Sequence, residues 1–335
     1  MSNLLSAENL NGRLLFAIPK KGRLYEKCLE LLQGADIQFK RQHRLDVALV
    51  QNLPIALVFL PAADIPRFVG EGNVDLGITG QDMVAEAGTS VSSLISEVLE
   101  LGFGKCKLQV QIPDPESPAA RSASAEGSAD TNCIRNEEDL VGRKVATSFD
   151  FLAGEYFKKL DEETTKKRLA ERKMKATDAP LRTAIEYVGG SVEAACALGL
   201  ADGIVDLVES GETMRACGLT AISTLLSSQA VLIKPTTPHP RSNVALIARI
   251  TARIRGVIAA SRYVLCTYNM QRAGLERALK ITPGRRAATV MPLDDGEWSA
   301  VSSMILRAEV ATVMDQLEEV GASDILITSI DNCRV

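Results

Sequence analysis

Two stretches of this chain, Glu71-Gly-Asn-Val-Asp-Leu-Gly-Ile78 and Leu198-Gly-Leu-Ala-Asp-Gly-Ile-Val205, follow one plan. In each, a helix is expected to end at a glycine, a two-residue link follows, and an aspartate opens an apolar run typical of a buried parallel strand. Carrying this plan twice constrains the chain toward two α/β units. Each would present a loop at the carboxyl end of its strand, where open α/β sheets hold ligands. The two loops fall after Ile78 and after Val208, and a cleft between two lobes follows. Eight matched positions leave chance and duplication both open as the source of the echo.

The second loop carries the most chemistry. Ile204, Val205, Leu207 and Val208 form the apolar run, Asp206 interrupts it, and Glu209-Ser-Gly-Glu-Thr213 stands where the next helix begins. Backbone N–H groups at a helix start, together with hydroxyl donors, can hold a terminal phosphate. The carboxylates then serve ribose hydroxyls, or a magnesium ion on a neighbouring diphosphate. The plainer alternative is that Ser210 or Thr213 is an N-cap and the acids favour the helix dipole; the motif alone leaves both open. In the first lobe, Leu14–Ile18 reads as a strand opening into the basic loop Pro19-Lys-Lys-Gly-Arg23. A helix with Leu24, Cys28, Leu31 and Leu32 on one face follows, an arrangement suited to anions. Ile55–Leu60 reads as a further strand, and Asp64 as the N-cap of a helix with Pro66 in its first turn.

Composition narrows the partners. The 335 residues suffice for two domains or three small ones, and 46% apolar with 24% charged residues is ordinary for a soluble globular protein. A net charge of −4 gives no global attraction to nucleic acid. No apolar run approaches the roughly 20 residues of a membrane span, and the start lacks a basic segment before an apolar one, so a cytoplasmic protein is expected. Seven cysteines without a Cys-x-x-Cys pair suggest reduced packing residues. His43 and His239 have no nucleophile nearby in the sequence, which gives a hydrolase triad little support. Pro113–Asn132 has almost no large apolar side chain and reads as a mobile loop at the first crossing between lobes. Lys166-Lys-Arg168, Lys173 and Lys175 read as a solvated helix face.

Ala230–Lys234 is expected to return to the first lobe as a strand. Val244, Ile247, Thr251, Ile254 and Ile258 then keep helical spacing to about Ala260. Strand Tyr263–Thr267, helix Ala273–Ile281, strands Ala288–Met291 and Ala300–Leu306, helix Val310–Val320 and strand Ile325–Thr328 complete a βαββαβ order, the ferredoxin-like unit. Such a unit can be a metabolite sensor or an assembly module.

Six segments, in order, carry a resemblance over nearly the whole chain: Ile18-Pro-Lys-Lys-Gly-Arg-Leu24, Leu60-Pro-Ala-Ala-Asp-Ile-Pro66, Val74-Asp-Leu-Gly-Ile-Thr-Gly-Gln-Asp82, Leu101-Gly-Phe-Gly-Lys-Cys-Lys-Leu108, Gly190-Ser-Val-Glu-Ala-Ala-Cys-Ala-Leu-Gly199 and the Glu209 loop. The chain resembles the ATP phosphoribosyltransferases in their long, fungal-like form. The resemblance implies an α/β fold of two periplasmic-binding-protein-like lobes forming a catalytic cleft, with a C-terminal ferredoxin-like, ACT-like regulatory domain. The expected boundaries are 1–112 with 221–241 for lobe I, 113–220 for lobe II, 242–260 for a connecting helix and 261–335 for the regulatory domain. It implies transfer of phosphoribose from 5-phosphoribosyl 1-diphosphate to N1 of ATP, with Mg2+ carried mainly on the substrate diphosphate and no protein nucleophile. Asp206, Glu209, Ser210, Gly211, Glu212 and Thr213 match the positions that hold the diphosphate sugar. Lys21 and Arg23 match the basic loop that meets substrate phosphates, Thr79, Gly80 and Asp82 match the loop near the nucleotide ATP, and the doubled lysine leaves the role of Lys20 ambiguous. Asn269, Thr289 and Asp324 align with contacts to histidine as feedback inhibitor. A hexamer built from dimers is implied, without an accessory subunit. Leu60 departs from the arginine of many bacterial members, Ser210 stands where threonine is common, and the Pro113–Asn132 insertion has no transferable role.

Overall fold

The computed structural model describes residues 10–41, 45–114, 134–171, 179–240 and 242–334. The readings for His43, Lys173 and Lys175, and for the 113–132 insertion beyond Asp114, lie outside the described residues. Along the first part run β1 (Leu14–Pro19), α1 (Tyr25–Gly34), β2 (Val47–Leu49), β3 (Ile55–Leu60), α2 (Ile65–Gly70), β4 (Leu76–Gly80), α3 (Gln81–Glu86), α4 (Gly88–Ser92), β5 (Ile95–Glu100) and β6 (Cys106–Pro113). Then come β7 (Lys144–Thr147), α5 (Asp150–Ala170), β8 (Ala184–Tyr187), α6 (Ala194–Ala197), β9 (Gly203–Val208), α7 (Glu212–Ala216), β10 (Leu219–Ser228) and β11 (Ala230–Pro235). The chain ends with α8 (Val244–Arg262), β12 (Tyr263–Gln271), α9 (Leu275–Ile281), β13 (Thr289–Pro292), β14 (Trp298–Leu306), α10 (Val310–Glu319) and β15 (Ser323–Ser329).

The described residues of Met1–Tyr25, Arg44–Val47 and Ala56–Ser242 form one compact unit, those of Glu26–His43, Ala48–Ile55 and Asn243–Val335 another. Two mixed sheets, ordered β2-β3-β1-β4-β11-β5 and β10-β6-β9-β7-β8, repeat one design. In each, a parallel pair (β1 with β4, β7 with β9) is followed by an antiparallel strand (β11 beside β4, β6 beside β9) that the chain supplies after crossing over.

The echo in the sequence is an echo in structure. After α2, Gly72 takes φ 74°, its N–H reaches Val69 O (2.9 Å), and Asn73 N reaches Phe68 O (2.9 Å). After α6, Gly199 takes φ 70°, its N–H reaches Cys196 O (3.1 Å), and Leu200 N reaches Ala195 O (2.9 Å). Both are left-handed glycine caps that satisfy the last helical carbonyls. The aspartate that follows ties its strand to the parallel neighbour twice. Asp75 N donates to Leu15 O (2.9 Å) and its carboxylate accepts from Leu15 N (2.8 Å); Asp202 does the same with Lys144 O (2.9 Å) and Lys144 N (3.0 Å).

The expected lobe boundaries shift. β6 and β10 both lie in the second sheet, so the chain changes sheets at 101–105 and at Gln229, not at 112/113 and 220/221. The cause is burial: Leu108, Val110 and Ile112 alternate into the core that holds Val145, Phe157 and Val205, which fixes β6 there before Pro113 is reached. Asp64 does precede α2, with Pro66 in the first turn, but its side chain makes no capping bond.

In the other unit, α8 buries Leu246, Ile250, Ile254 and Ile258, while Val244 is exposed. The buried stripe therefore runs at steps of four from Leu246, whose N–H is capped by Asn243 Oδ1 (3.0 Å). Gly34, at the end of α1, lies against α8: a Cβ there would sit 3.0 Å from Val257 Cγ1, and Arg253 donates to Ala35 O and Asp36 O (3.2 and 3.0 Å). The βαββαβ order forms an antiparallel sheet ordered β13-β14-β12-β15, with Val264, Cys266, Tyr268, Val301, Val313 and Leu317 in its core.

Candidate active site

The site is built at the carboxyl ends of β1, β4 and β9 in the first unit. Beyond β1, Gly22 takes φ 89° and Tyr25 N closes on Gly22 O (3.0 Å), which starts α1 and leaves Lys21 exposed in the turn. Arg23 points back across the sheets. Its Nη1 donates to Gly104 O (3.0 Å) and Glu209 Oε1 (3.2 Å), and its Nη2 to Asp82 Oδ2 (3.3 Å). Burial pulls the Arg23 pKa down, but Asp82, with help from Cys106 and Glu209, more than reverses this and holds it above its ordinary value. Among the expected residues, Arg23, Asp82 and Glu209 are thus brought together from three separate strand ends.

Asp82 is buried (1% exposed) at the start of α3. Gly80 is the N-cap and has no side chain to offer, so the first N–H groups of α3 are served by the last residue of β10 and the one after it. Gln81 N donates to Gln229 O (3.0 Å) and Asp82 N to Ser228 Oγ (2.9 Å). Ser228 returns a bond to Asp82 Oδ1 (2.6 Å). Both carboxylate oxygens of Asp82 are therefore committed inside the protein. Thr79 is also turned inward, donating to Ala62 O (2.9 Å).

A cavity of about 490 Å3 opens beside this cluster, lined by Lys105, Lys107, Glu209, Ser210, Arg215 and Ser228 among others. Gly211 takes φ 76°, which lets the loop turn into α7, and Ser210 Oγ accepts from Glu212 N (3.3 Å). The N-cap is Gly211, so neither Ser210 nor Thr213 holds that position; Ser210 makes a local bond just ahead of it, and its own O–H proton remains able to donate. Glu212 and Thr213 form the exposed first turn of α7, outside the cavity wall. Asp206 also lies off the wall. Its carboxylate accepts from Leu207 N (2.8 Å), and burial, with a lesser contribution from Glu193, raises its pKa.

Lys105, Lys107 and Arg215 were not singled out by sequence. Lys107 alternates with the buried Cys106 and Leu108 on β6, a pattern that marks it as facing the other way. Arg215 lies four residues beyond Gly211 and donates back to Ser210 O (3.3 Å) over the loop.

At the far end of α3, Glu86 accepts from Phe151 N (2.9 Å) and Leu152 N (3.0 Å), capping α5 of the second sheet. Burial pushes its pKa up to about 7; the two N–H bonds oppose the rise and Asp150 adds to it. A carboxyl raised in the folded state contributes stability that is present below its ordinary pKa and lost as pH rises through about 7. The full shift would be worth about 3 kcal/mol. Glu86 is only half-buried, and solvent screening reduces this to on the order of 1 kcal/mol. Glu86→Gln keeps an acceptor and removes the titration. Between pH 5 and 8 the thermal midpoint of the wild type should therefore fall further than that of Glu86→Gln, and parallel curves would rule out this role.

In the C-terminal sheet, Asn269 Nδ2 donates to Asp324 Oδ2 (2.9 Å), and both border a 170 Å3 hollow with Thr267, Met291, Ser302 and Leu326. Thr289 pairs with Ser302 in register but does not line the hollow. No described helix is long and apolar enough to cross a membrane.

Comparison with known proteins bears on the whole chain. Residues 61–256 match the family profile described as ATP phosphoribosyltransferase, and residues 260–332 match the profile of the HisG C-terminal domain. An ATP phosphoribosyltransferase of Yarrowia lipolytica is 55% identical over 328 residues, covering 98% of both chains. One of Schizosaccharomyces pombe is 53% identical over 328 residues, covering 97% of this chain and 98% of the relative. Among solved structures, the ATP phosphoribosyl transferase (HisG:HisZ) complex from Thermotoga maritima shares the fold. It has a TM-score of 0.53 at 19% identity and covers 72% of this chain and 96% of that one. This chain belongs to the ATP phosphoribosyltransferase family, a family of transferases.

Proposed function

We propose that the protein transfers the phosphoribosyl group of 5-phosphoribosyl 1-diphosphate to N1 of ATP, releasing pyrophosphate, as the first step of histidine biosynthesis. The observation that carries this reading is the Glu209–Gly211 loop at the end of β9 meeting Arg23 from the other sheet beside a 490 Å3 cavity with Lys105, Lys107 and Arg215 on its wall. Those cations suit a ligand with several phosphates in a protein of net charge −4. The N1 lone pair of adenine forms the new bond to the anomeric carbon as the diphosphate leaves with the bonding pair, so no protein base is required to activate it. Alignment of the two substrates and fixed charge near the developing oxocarbenium supply the acceleration. Among the described residues no three His, Cys, Asp or Glu side chains gather as a metal site. Mg2+ on this reading arrives with the diphosphate, coordinated by its oxygens and water. Mass analysis should find phosphoribosyl-ATP only when ATP, the diphosphate sugar and Mg2+ are all present. No product beside a working relative would sink the assignment.

Thr213 sits on the exposed first turn of α7 and, on this reading, offers its hydroxyl to the sugar 5-phosphate. Thr213→Val should lower kcat/KM for the diphosphate sugar by about ten- to a hundredfold with the fold intact, the value of a bond to a charged group. Unchanged kinetics would remove Thr213 from the site.

The C-terminal unit, on the same reading, is an ACT-like sensor for histidine in a cytoplasmic hexamer that needs no accessory subunit. Its support is the Asn269–Asp324 pair at the hollow, where the left-handed Asp324 (φ 53°) turns its carboxylate toward Asn269. Histidine should inhibit the wild type, and Thr289→Ala, opposite Ser302 at the edge of that face, should weaken the inhibition while turnover stays intact. Full activity at high histidine would make the domain an assembly module.

A further inference from the structure

The chain passes between the sheets of the first unit at 101–105 and just after Ser228, the last residue of β10; the first passage meets the Arg23 guanidinium directly and the second reaches it through Asp82. From the first, Gly104 presents its carbonyl to Arg23 Nη1 (3.0 Å). Gly104 takes φ 65°, and a Cβ there would run into Leu24, so glycine alone allows this approach. From the second, Ser228 donates to Asp82 Oδ1 (2.6 Å) and accepts from Asp82 N (2.9 Å), and the remaining oxygen of Asp82 meets Arg23 Nη2 (3.3 Å). Asp82 is 1% and Ser228 5% exposed, so water does not compete for these bonds. Cys106 lies buried where the first segment joins β6.

We infer that Ser228 is a positioning residue. From the second crossover it fixes the Asp82 carboxylate, which fixes the Arg23 guanidinium at the point where Arg23 meets the phosphate loop through Glu209. Directed bonds set the orientation. A carboxylate held by a serine O–H on one oxygen, with the same serine oxygen gripping its backbone N–H, has lost its freedom to rotate about χ1. The arginine that leans on the other oxygen then inherits that orientation. Ser228 borders the cavity, but its O–H is given to Asp82 Oδ1 and its oxygen accepts from Asp82 N, so its effect on phosphate binding is expected to pass through Asp82 and Arg23. This inference rests on the reading of Arg23 as a phosphate contact.

The test is a double-variant cycle on the full chain, with calorimetric binding of inorganic pyrophosphate as the readout. Ser228→Ala should weaken binding by about 3- to 10-fold in the native background and by less than about twofold in Arg23→Gln, the coupling expected of residues in one network. Ser228→Cys, which keeps the volume and a weak donor, should fall between wild type and Ser228→Ala. It answers the same cycle if the alanine variant does not fold. Equal losses in both backgrounds, or none in the native one, would overturn the inference. So would pyrophosphate affinity that is indifferent to Arg23→Gln, because Ser228 would then have no phosphate-facing arginine to position. Coupled losses in a protein that never forms phosphoribosyl-ATP would uphold the positioning role and overturn the proposed reaction, so the two failures are distinguishable.

Discussion

Arg23→Gln should lower kcat/KM for the diphosphate sugar by about a hundredfold or more, corresponding to roughly 3 kcal/mol of charge-assisted bonding. It should also destabilise the first unit. The side chain joins three acceptors from separate parts of the fold, Gly104 O, Glu209 and Asp82, and glutamine can neither span them nor supply the charge. Removing it leaves the buried Asp82 carboxylate with Ser228 alone. Breaking a buried pair from one side costs about 3–5 kcal/mol. The Arg23 side chain is 27% exposed and Ser228 remains, so the lower part of that range applies. Arg23→Lys separates the two effects: it keeps the charge but loses the planar fork, so stability should recover more than turnover. Steady-state kinetics and thermal unfolding of the three proteins make the comparison. Native turnover in Arg23→Gln would remove this residue from the site and the cross-sheet contact from the mechanism.

The sequence made much of this cluster readable and left its wiring unread. Strands such as Ile55–Leu60 and the βαββαβ series follow from local periodicity, because a residue's face is set by its neighbours two or four positions away. Arg23, Asp82 and Glu209 were legible as separate basic and acidic loop positions. Their meeting was not, since it depends on segments 59 and 186 residues apart. Ser228 carried no signal at all: it ends a half-polar strand, and its role exists only where that strand reaches the start of α3. The misjudged crossovers have a related cause. Pro113 is strong local punctuation, but Cys106–Pro113 is already committed to the second sheet by the burial of Leu108, Val110 and Ile112.

The helix starts follow the same principle. A rule that seeks a capping side chain just ahead of a helix finds Asp64, which makes no such bond, and misses α3 and α5. Those two are capped from distant segments, α3 by Ser228 and Gln229 and α5 by Glu86. Caps supplied from afar fasten elements together as well as ending them, and α3 has one at each end. It bonds the second crossover at its start and the second sheet's long helix at its finish.

Gly80→Ala should be among the most damaging single-methyl additions in the protein. At φ −85° and ψ 150° the backbone of Gly80 is open to any residue, so the glycine is not there for conformational freedom. Its space is taken by a carboxylate: a Cβ would overlap Asp82 Oδ1 and come within 3.0 Å of Asp82 Cγ. Rotating the carboxylate clears the oxygen but not the carbon, and any shift breaks the Ser228 bond or the Arg23 pair. The strand cannot retreat either, because every residue of β4 is buried and hydrogen-bonded ladders flank it on both sides. Overpacking of this kind costs about 1–3 kcal/mol. A buried carboxylate displaced from its partners adds a comparable amount, so a loss of about 3–5 kcal/mol is expected. The cause can be isolated, since Asp82→Ala removes the obstructing group. Gly80→Ala/Asp82→Ala should then be no less stable than Asp82→Ala alone, a departure from additivity of at least about 2 kcal/mol. Denaturant midpoints of the three variants measure it. Additive losses would mean that the added methyl strikes something other than Asp82. On the present geometry, the space beside Gly80 is the room in which an internal anion holds its arginine.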